Sequence, residues 1–265
     1  STAYLDQGRQ LHALKLKTVY EYDLILENSL ISMYAKCGEI CDAYNIFSNM
    51  TYRDIVSWNS MIMGLSDHGM ASEALKLYET MLELGIYPDS VTLLGILTAC
   101  GNAGLVDKGW ELFTAMTNVH ELQPRLEHYI SMINLLGRAG KVKEAEEFVL
   151  KLPIEPNRAI WGALLGVCGL NKTYSNVAKH AAKRLLELDP YNAAGYVAIC
   201  NICAASGRHI EGTNLRGEMS LKEVTKTPGC SWMILRGRVH IFSSGDRLNP
   251  QVEEMLFILS LNEID

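Results

Sequence analysis

The sequence predicts an all-α fold, a right-handed superhelical solenoid of helix-turn-helix repeats, and two observations carry that expectation. Gly38, Gly69, Gly104, Gly140 and Gly207 punctuate the chain at intervals of 31, 35, 36 and 67 residues, the last interval being two units. Five residues after each glycine stands a small residue (Ala43, Ala74, Gly109, Ala145, Gly212), and twelve after each a large apolar one (Met50, Met81, Met116, Leu152, Met219). Helices cross where a small side chain lets two axes approach and a bulky one fills the gap beside it, so this phase is a packing rule repeated unit by unit. Helices of this length are unstable alone in water and must bury their apolar faces against neighbours.

Residues 1–23 read as an incomplete unit carrying a second helix, with Gly8 at its crossing and Leu11 and Leu14 as apolar partners. Complete units follow at 24–54, 55–89, 90–125 and 126–157. In the second of these, Asp67-His68-Gly69 separates two apolar segments, the latter bearing Ala74, Leu75, Leu77, Tyr78 and Met81. Residues 158–192 replace the turn glycine with Asn171-Lys172-Thr173, and 193–226 form one further hairpin. After Thr227-Pro228-Gly229 the helical period stops. Trp232, Ile234, Val239, Ile241 and Phe242 flank Arg236-Gly237-Arg238 in the pattern of two strands and a turn. A closing helix is expected from Pro250 through Val252, Met255, Leu256, Ile258 and Leu259, folding back on that hairpin.

Net charge is −6 and the pI is near 5.7, which argues against a stand-alone binder of nucleic acid driven by phosphate neutralisation. Residues 1–125 are the more acidic part, with 8 Lys/Arg against 15 Asp/Glu. Seven cysteines, an odd number at helical positions, fit a reducing compartment better than a disulfide framework. No apolar run is long enough to cross a bilayer, so no membrane partner is expected. The chain starts without Met in mid-repeat, which points to a piece of a longer array with any transit peptide outside it.

Cys200-x-x-Cys203 and His209-x-Glu211 are formally the parts of a zinc deaminase. The cysteines precede the histidine, however, and both pairs fall in one repeat hairpin, so no metal, cofactor or catalytic residue is expected. Cys37, Cys41, Trp58, Trp110 and Trp161 read as core. Gly162-x-x-x-Gly166 reads as a close helix contact.

The units resemble the pentatricopeptide repeats of plant organelle RNA-editing factors, in the subclass that alternates long, short and standard motifs. NSLISMYAKCGEICDAYNIFSNM is similar to a short motif, IVSWNSMI to GIYPD to a standard one, VTLLGILTACGNAGLVDKGWELF to a long one, and LEHYISMINLLGRAGKVKEAEEFV to a last short one. Residues 1–23 would then be the end of a long motif. RAIWGALLGVC to LLELDPYN and YVAICNICAASGR resemble the two E motifs, which are tetratricopeptide-like. PGCSWMILRGRVHIFSSGDRLNP resembles the E-plus segment, spanning 227–265, which in the family leads to a DYW-type deaminase absent from these residues.

The resemblance implies that a repeat reads one RNA base through its fifth and last residues while the second residue packs beside it. That assigns base reading to Asn28 with Asp54 and to Asn59 with Asp89, each pair preferring uridine over cytidine, with Ile25 and Val56 sandwiching the base. Asn and Asp are also common as helix cap and turn residues, and it is the recurrence of the pair at equivalent positions that favours reading. An amide both donates and accepts at a pyrimidine edge, and a carboxylate accepting from it fixes which way it points. Leu94 with Arg125, and Ile130 with Asn157, cannot read a base edge and are expected to be weak or silent, Glu127 standing where a sandwich residue belongs. The partners implied are single-stranded organellar RNA, a DYW-type deaminase supplied in trans or on a continuation of the chain, and multiple organellar RNA editing factors. The location implied is the mitochondrion or chloroplast. A protein-only scaffold is the other class, favoured by the acidic balance of residues 1–125.

Overall fold

The computed structural model describes residues 2–17, 23–169, 175–225, 229–235 and 238–243. Among them are thirteen helices: α1 (Thr2–Lys17), α2 (Leu24–Cys37), α3 (Ile40–Asn49), α4 (Ile55–Asp67), α5 (Ala71–Glu83), α6 (Ser90–Ala103), α7 (Val106–Asn118), α8 (Leu126–Arg138), α9 (Val142–Leu150), α10 (Arg158–Cys168), α11 (Ser175–Leu188), α12 (Ala193–Ala205) and α13 (His209–Leu221). Helices α2, α4, α6, α8 and α10 stack in succession as one row. The alternate helices pack on their own hairpin partner, and α3, α5, α7, α9 and α11 also touch the helix that opens the next unit. This is the solenoid. It occupies Ala3–Val224, and Thr225–Asp265 form a separate unit.

The local causes are visible at each helix end. Gly38, Gly69, Gly104, Gly140 and Gly207 all have φ between 70° and 94°, a left-handed turn that a β-carbon would strain. Asp23, Asp54, Asp89, Asn157 and Asn192 each accept a backbone N–H of the first turn that follows. Of the phased residues, Ala43, Ala74, Gly109, Ala145 and Gly212 are buried, as are Met50, Met81 and Met116, whereas Leu152 and Met219 are half-buried.

Units are also tied by polar groups that leave their own helix. The Ser66 hydroxyl reaches the Gly95 carbonyl at 2.8 Å, the Asn102 amide donates to the Ser66 carbonyl at 2.7 Å, and His68 Nε2 donates to the Ala35 carbonyl at 2.7 Å. The apolar core runs as a ribbon between the rows. Trp110, Phe113 and Phe148 pack edge-on at its middle and Tyr129 joins them tilted, with centroids 5.4 to 6.3 Å apart. In the second unit, β1 (Cys230–Leu235) and β2 (Arg238–Ser243) form an antiparallel hairpin with Trp232 opposite Ile241. Asn171-Lys172-Thr173, Arg236-Gly237 and the expected helix after Pro250 lie outside the described residues.

Three expectations fail. Leu11 and Leu14 are exposed, because α1 turns the face bearing Leu5, Gly8 and His12 toward α2, where Gly8 meets Met33 and His12 meets Tyr34. Cys41 is exposed, since α3 buries Ala43 and Phe47 instead, and Cys37, the last residue of α2, is half-buried. Gly162 and Gly166 make no close helix contact: a β-carbon at either would meet nothing within 4 Å. Helix α10 buries Ile160, Trp161, Leu164 and Cys168, which leaves those glycines on its other face.

The contrast with Gly137 is testable. A β-carbon there would lie 2.2 Å from the Val167 β-carbon on α10. Gly137→Ala is expected to destabilise the solenoid by about 1–3 kcal/mol through overpacking, despite the helix propensity gained. Gly162→Ala should stabilise it by roughly 0.5–1 kcal/mol. Thermal unfolding of both variants against the parent measures the two signs.

Candidate nucleic-acid interface

The first-row helices carry the site. Ile25, Asn28, Ser29, Ser32 and Lys36 recur at helical spacing along one face of α2, so five side chains form a single stripe. Opposite them α4 contributes Val56 and Ser60, and together with Asp54 these residues line a cleft of about 710 Å³ between the two units. Ile25 and Val56 stand out from the surface, 79% and 49% exposed, as aliphatic walls. Asn28 lies at the floor, 8% exposed, and the Ser32 and Ser60 hydroxyls meet at 3.4 Å across the cleft.

Asn28 Nδ2 donates to Asp54 Oδ1 at 3.1 Å, and Asn59 Nδ2 donates to Asp89 Oδ1 at 3.0 Å. A carboxylate only accepts, so each amide must turn its nitrogen toward the aspartate. Both aspartates are at the same time the caps of the next first-row helix. Asp54 Oδ1 takes the Ser57 N–H and hydroxyl, both at 2.9 Å, and Asp89 Oδ1 takes the Val91 and Thr92 N–H groups, both at 2.9 Å. The cap and the orienting group are one atom in each case.

The E motif model matches residues 174–234, the PPR repeat family model 53–102, and the PPR repeat model 28–55 and 127–153. Pentatricopeptide repeat-containing protein At2g13600 of Arabidopsis thaliana is 39% identical over 94% of this chain and 36% of its own length. The Arabidopsis thaliana protein At3g02330, mitochondrial, is 39% identical over 96% of the chain and 28% of its own length. This chain belongs to the pentatricopeptide repeat family and carries an E motif. It spans about a third of the length of those relatives. The fold also resembles maize pentatricopeptide repeat protein PPR10, solved with an 18-nt psaJ RNA element, at TM-score 0.64 and 17% identity over 83% of this chain and 34% of that one. A tetratricopeptide repeat protein from Parabacteroides merdae has TM-score 0.54 and 14% identity over 83% of this chain and 92% of that one.

In this pentatricopeptide repeat protein the two Asn/Asp pairs are not equivalent. The Thr92 hydroxyl reaches Asn59 Oδ1 at 2.6 Å, whereas Asn28 Oδ1 is shielded from solvent with no hydrogen-bond partner among the described residues. Asn59 is 9% exposed. The later units lack the arrangement. Leu94 and Ile130 are half-buried and Arg125 and Glu127 exposed. The Arg125 backbone N–H, not its side chain, meets His128 Nδ1 at 3.0 Å, and Asn157 spends its side-chain oxygen capping α10, on Ala159 and Ile160 N–H. Among the described residues no three His, Cys, Asp or Glu side chains converge as metal ligands. Cys200 instead lies 3.6 Å from the Gly212 carbonyl and Cys203 3.9 Å from Glu211 Oε2.

Reading the sequence by repeat position overlooks Ser57 and Thr92, which clasp the aspartates, and Ser29, Ser32, Lys36 and Ser60, which line the cleft. The first pair has a legible signal. Asp54-x-x-Ser57 and Asp89-x-x-Thr92 have the spacing of reciprocal helix caps.

Burial pushes the Asp54 carboxyl up, but hydrogen bonds from the Ser57 backbone and hydroxyl, the Asn28 amide and the Val56 backbone outweigh it and hold it below the ordinary 3.8. A depressed carboxylate contributes stability above its unfolded pKa and loses it as pH falls through the folded value. The Asn28–Asp54 link should therefore persist from neutral pH to well below pH 5 and break only under pH 3.8. Carboxyl-carbon NMR titration of Asp54 is expected to give a midpoint below 3.8, with the Asn28 side-chain amide moving at the same pH.

Proposed function

We propose that this chain binds single-stranded RNA along its first-helix row and selects cytidines for C-to-U editing of organellar transcripts. The observation that carries the reading is the pair of oriented amides, Asn28 on Asp54 at 3.1 Å and Asn59 on Asp89 at 3.0 Å, the first on the floor of a cleft walled by Ile25 and Val56. A flat base fits between aliphatic walls and leaves its edge to the amide, which can donate to a uracil carbonyl. Asn28 and Asn59 then read two adjacent pyrimidines, with uridine preferred. Leu94 with Arg125 and Ile130 with Asn157 act as spacers toward the edited cytidine.

Chemistry on that cytidine comes from elsewhere. The E motif region recruits a DYW-type deaminase, on a separate protein or a continuation of the chain, and exposed Tyr191, Ile210 and Leu221 offer apolar side chains to a protein partner. Multiple organellar RNA editing factors are the further partners in this reading. The location is an organelle, with the mitochondrion favoured because three similar Arabidopsis proteins carry that word in their names.

A protein-only scaffold is the second reading, and the excess of acidic residues in 1–125 favours it. Fluorescence anisotropy with short RNAs bearing two adjacent uridines separates the two. RNA reading requires affinity that falls with salt and a preference for uridine that Asn59→Ala lowers about fivefold or more at one nucleotide, the worth of a hydrogen bond of roughly 1 kcal/mol. Discrimination left unchanged by Asn59→Ala would remove the claim.

A further inference from the structure

We infer that Thr92 is a positioning residue that locks the Asn59 amide and makes its unit the stricter of the two readers, an inference that rests on the RNA reading above. Both units begin their next helix with the same device, Asp-x-x-hydroxyl, and Ser57 and Thr92 are both completely buried. The hydroxyls end differently. Thr92 Oγ1 accepts the Asp89 N–H at 3.1 Å and stands 2.6 Å from Asn59 Oδ1, closer than the 3.0 Å to Asp89 Oδ1. Asp89 Oδ1 already takes two backbone N–H groups and the Asn59 amide, so the hydroxyl proton goes to the asparagine oxygen. Asn59 is thereby held at both ends of its amide and presents its remaining N–H and the second lone pair of its oxygen to a base in one fixed orientation.

Ser57 Oγ points its proton at Asp54 Oδ1, 2.9 Å away, and Asn28 Oδ1 is left with no partner among the described residues. A buried acceptor without a donor is costly, so this amide, held only through its nitrogen on Asp54, gains by swinging about that bond to accept whenever a base offers an N–H. One unit therefore shows a base a single fixed pattern, the other an adjustable one. The consequence is a stronger penalty for the wrong pyrimidine at the nucleotide of Asn59 than at that of Asn28.

The test uses the whole 265-residue chain. Single-stranded RNA with two adjacent uridines is changed to cytidine one position at a time, and the position whose preference Asn59→Ala removes is taken as the Asn59 nucleotide. Thr92→Val keeps shape and loses the hydroxyl. It is expected to cut the uridine preference about fivefold at that nucleotide and not at its neighbour, with Thr92→Ser restoring it. In the RNA-free protein, Thr92→Val should also shift the Asn59 side-chain amide resonances and leave those of Asn28 in place, a pattern that general loss of helix stability does not produce. Preference retained in Thr92→Val, or an unmoved Asn59 amide, overturns the inference while leaving RNA reading intact. No preference at either nucleotide in the parent chain overturns the RNA reading itself and this inference with it.

Discussion

A single carboxylate oxygen at the start of α4, and another at the start of α6, is the constraint on which the arrangement depends. Asp54 and Asp89 each close the open end of a helix, where N–H groups would otherwise lack partners, and each also holds an asparagine from the preceding helix. Helix capping fixes where the carboxylate is; the carboxylate fixes how the amide turns. The orientation of the asparagine therefore comes from backbone hydrogen bonding that the solenoid needs anyway.

The rest of the fold keeps that geometry in register. First-row helices approach closely where a small residue faces the next helix, as Gly137 faces Val167, and they are held in stagger by hydrogen bonds such as Ser66 to Gly95 and Asn102 to Ser66. A buried ribbon of apolar side chains beneath them resists sliding, since displaced side chains would meet the wrong gaps. Rigidity of the row sets the spacing of the two amides. Local capping sets their direction.

Much of this is legible in sequence, and the exceptions share a cause. The glycine phase specifies the solenoid because a left-handed turn and a small crossing residue each admit few side chains. The asparagines and aspartates recur at matched positions, and the family resemblance supplies their pairing. Ser57 and Thr92, in contrast, look interchangeable, and only coordinates separate a hydroxyl aimed at a carboxylate from one aimed at an amide. Leu11, Leu14, Cys41, Gly162 and Gly166 were misplaced for a related reason: residue type marks a helix as amphipathic, but which face meets a neighbour depends on a few tens of degrees of rotation.

Because the residue that steers Asn59 is also the residue that starts α6, the unit of recognition and the unit of folding overlap without coinciding. Anyone recoding such a scaffold by swapping last residues alters a helix terminus with every letter. Replacing Asp89 by a side chain that accepts poorly would loosen the neighbouring hairpin whatever it did to the alphabet, so usable vocabularies are confined to residues that also cap.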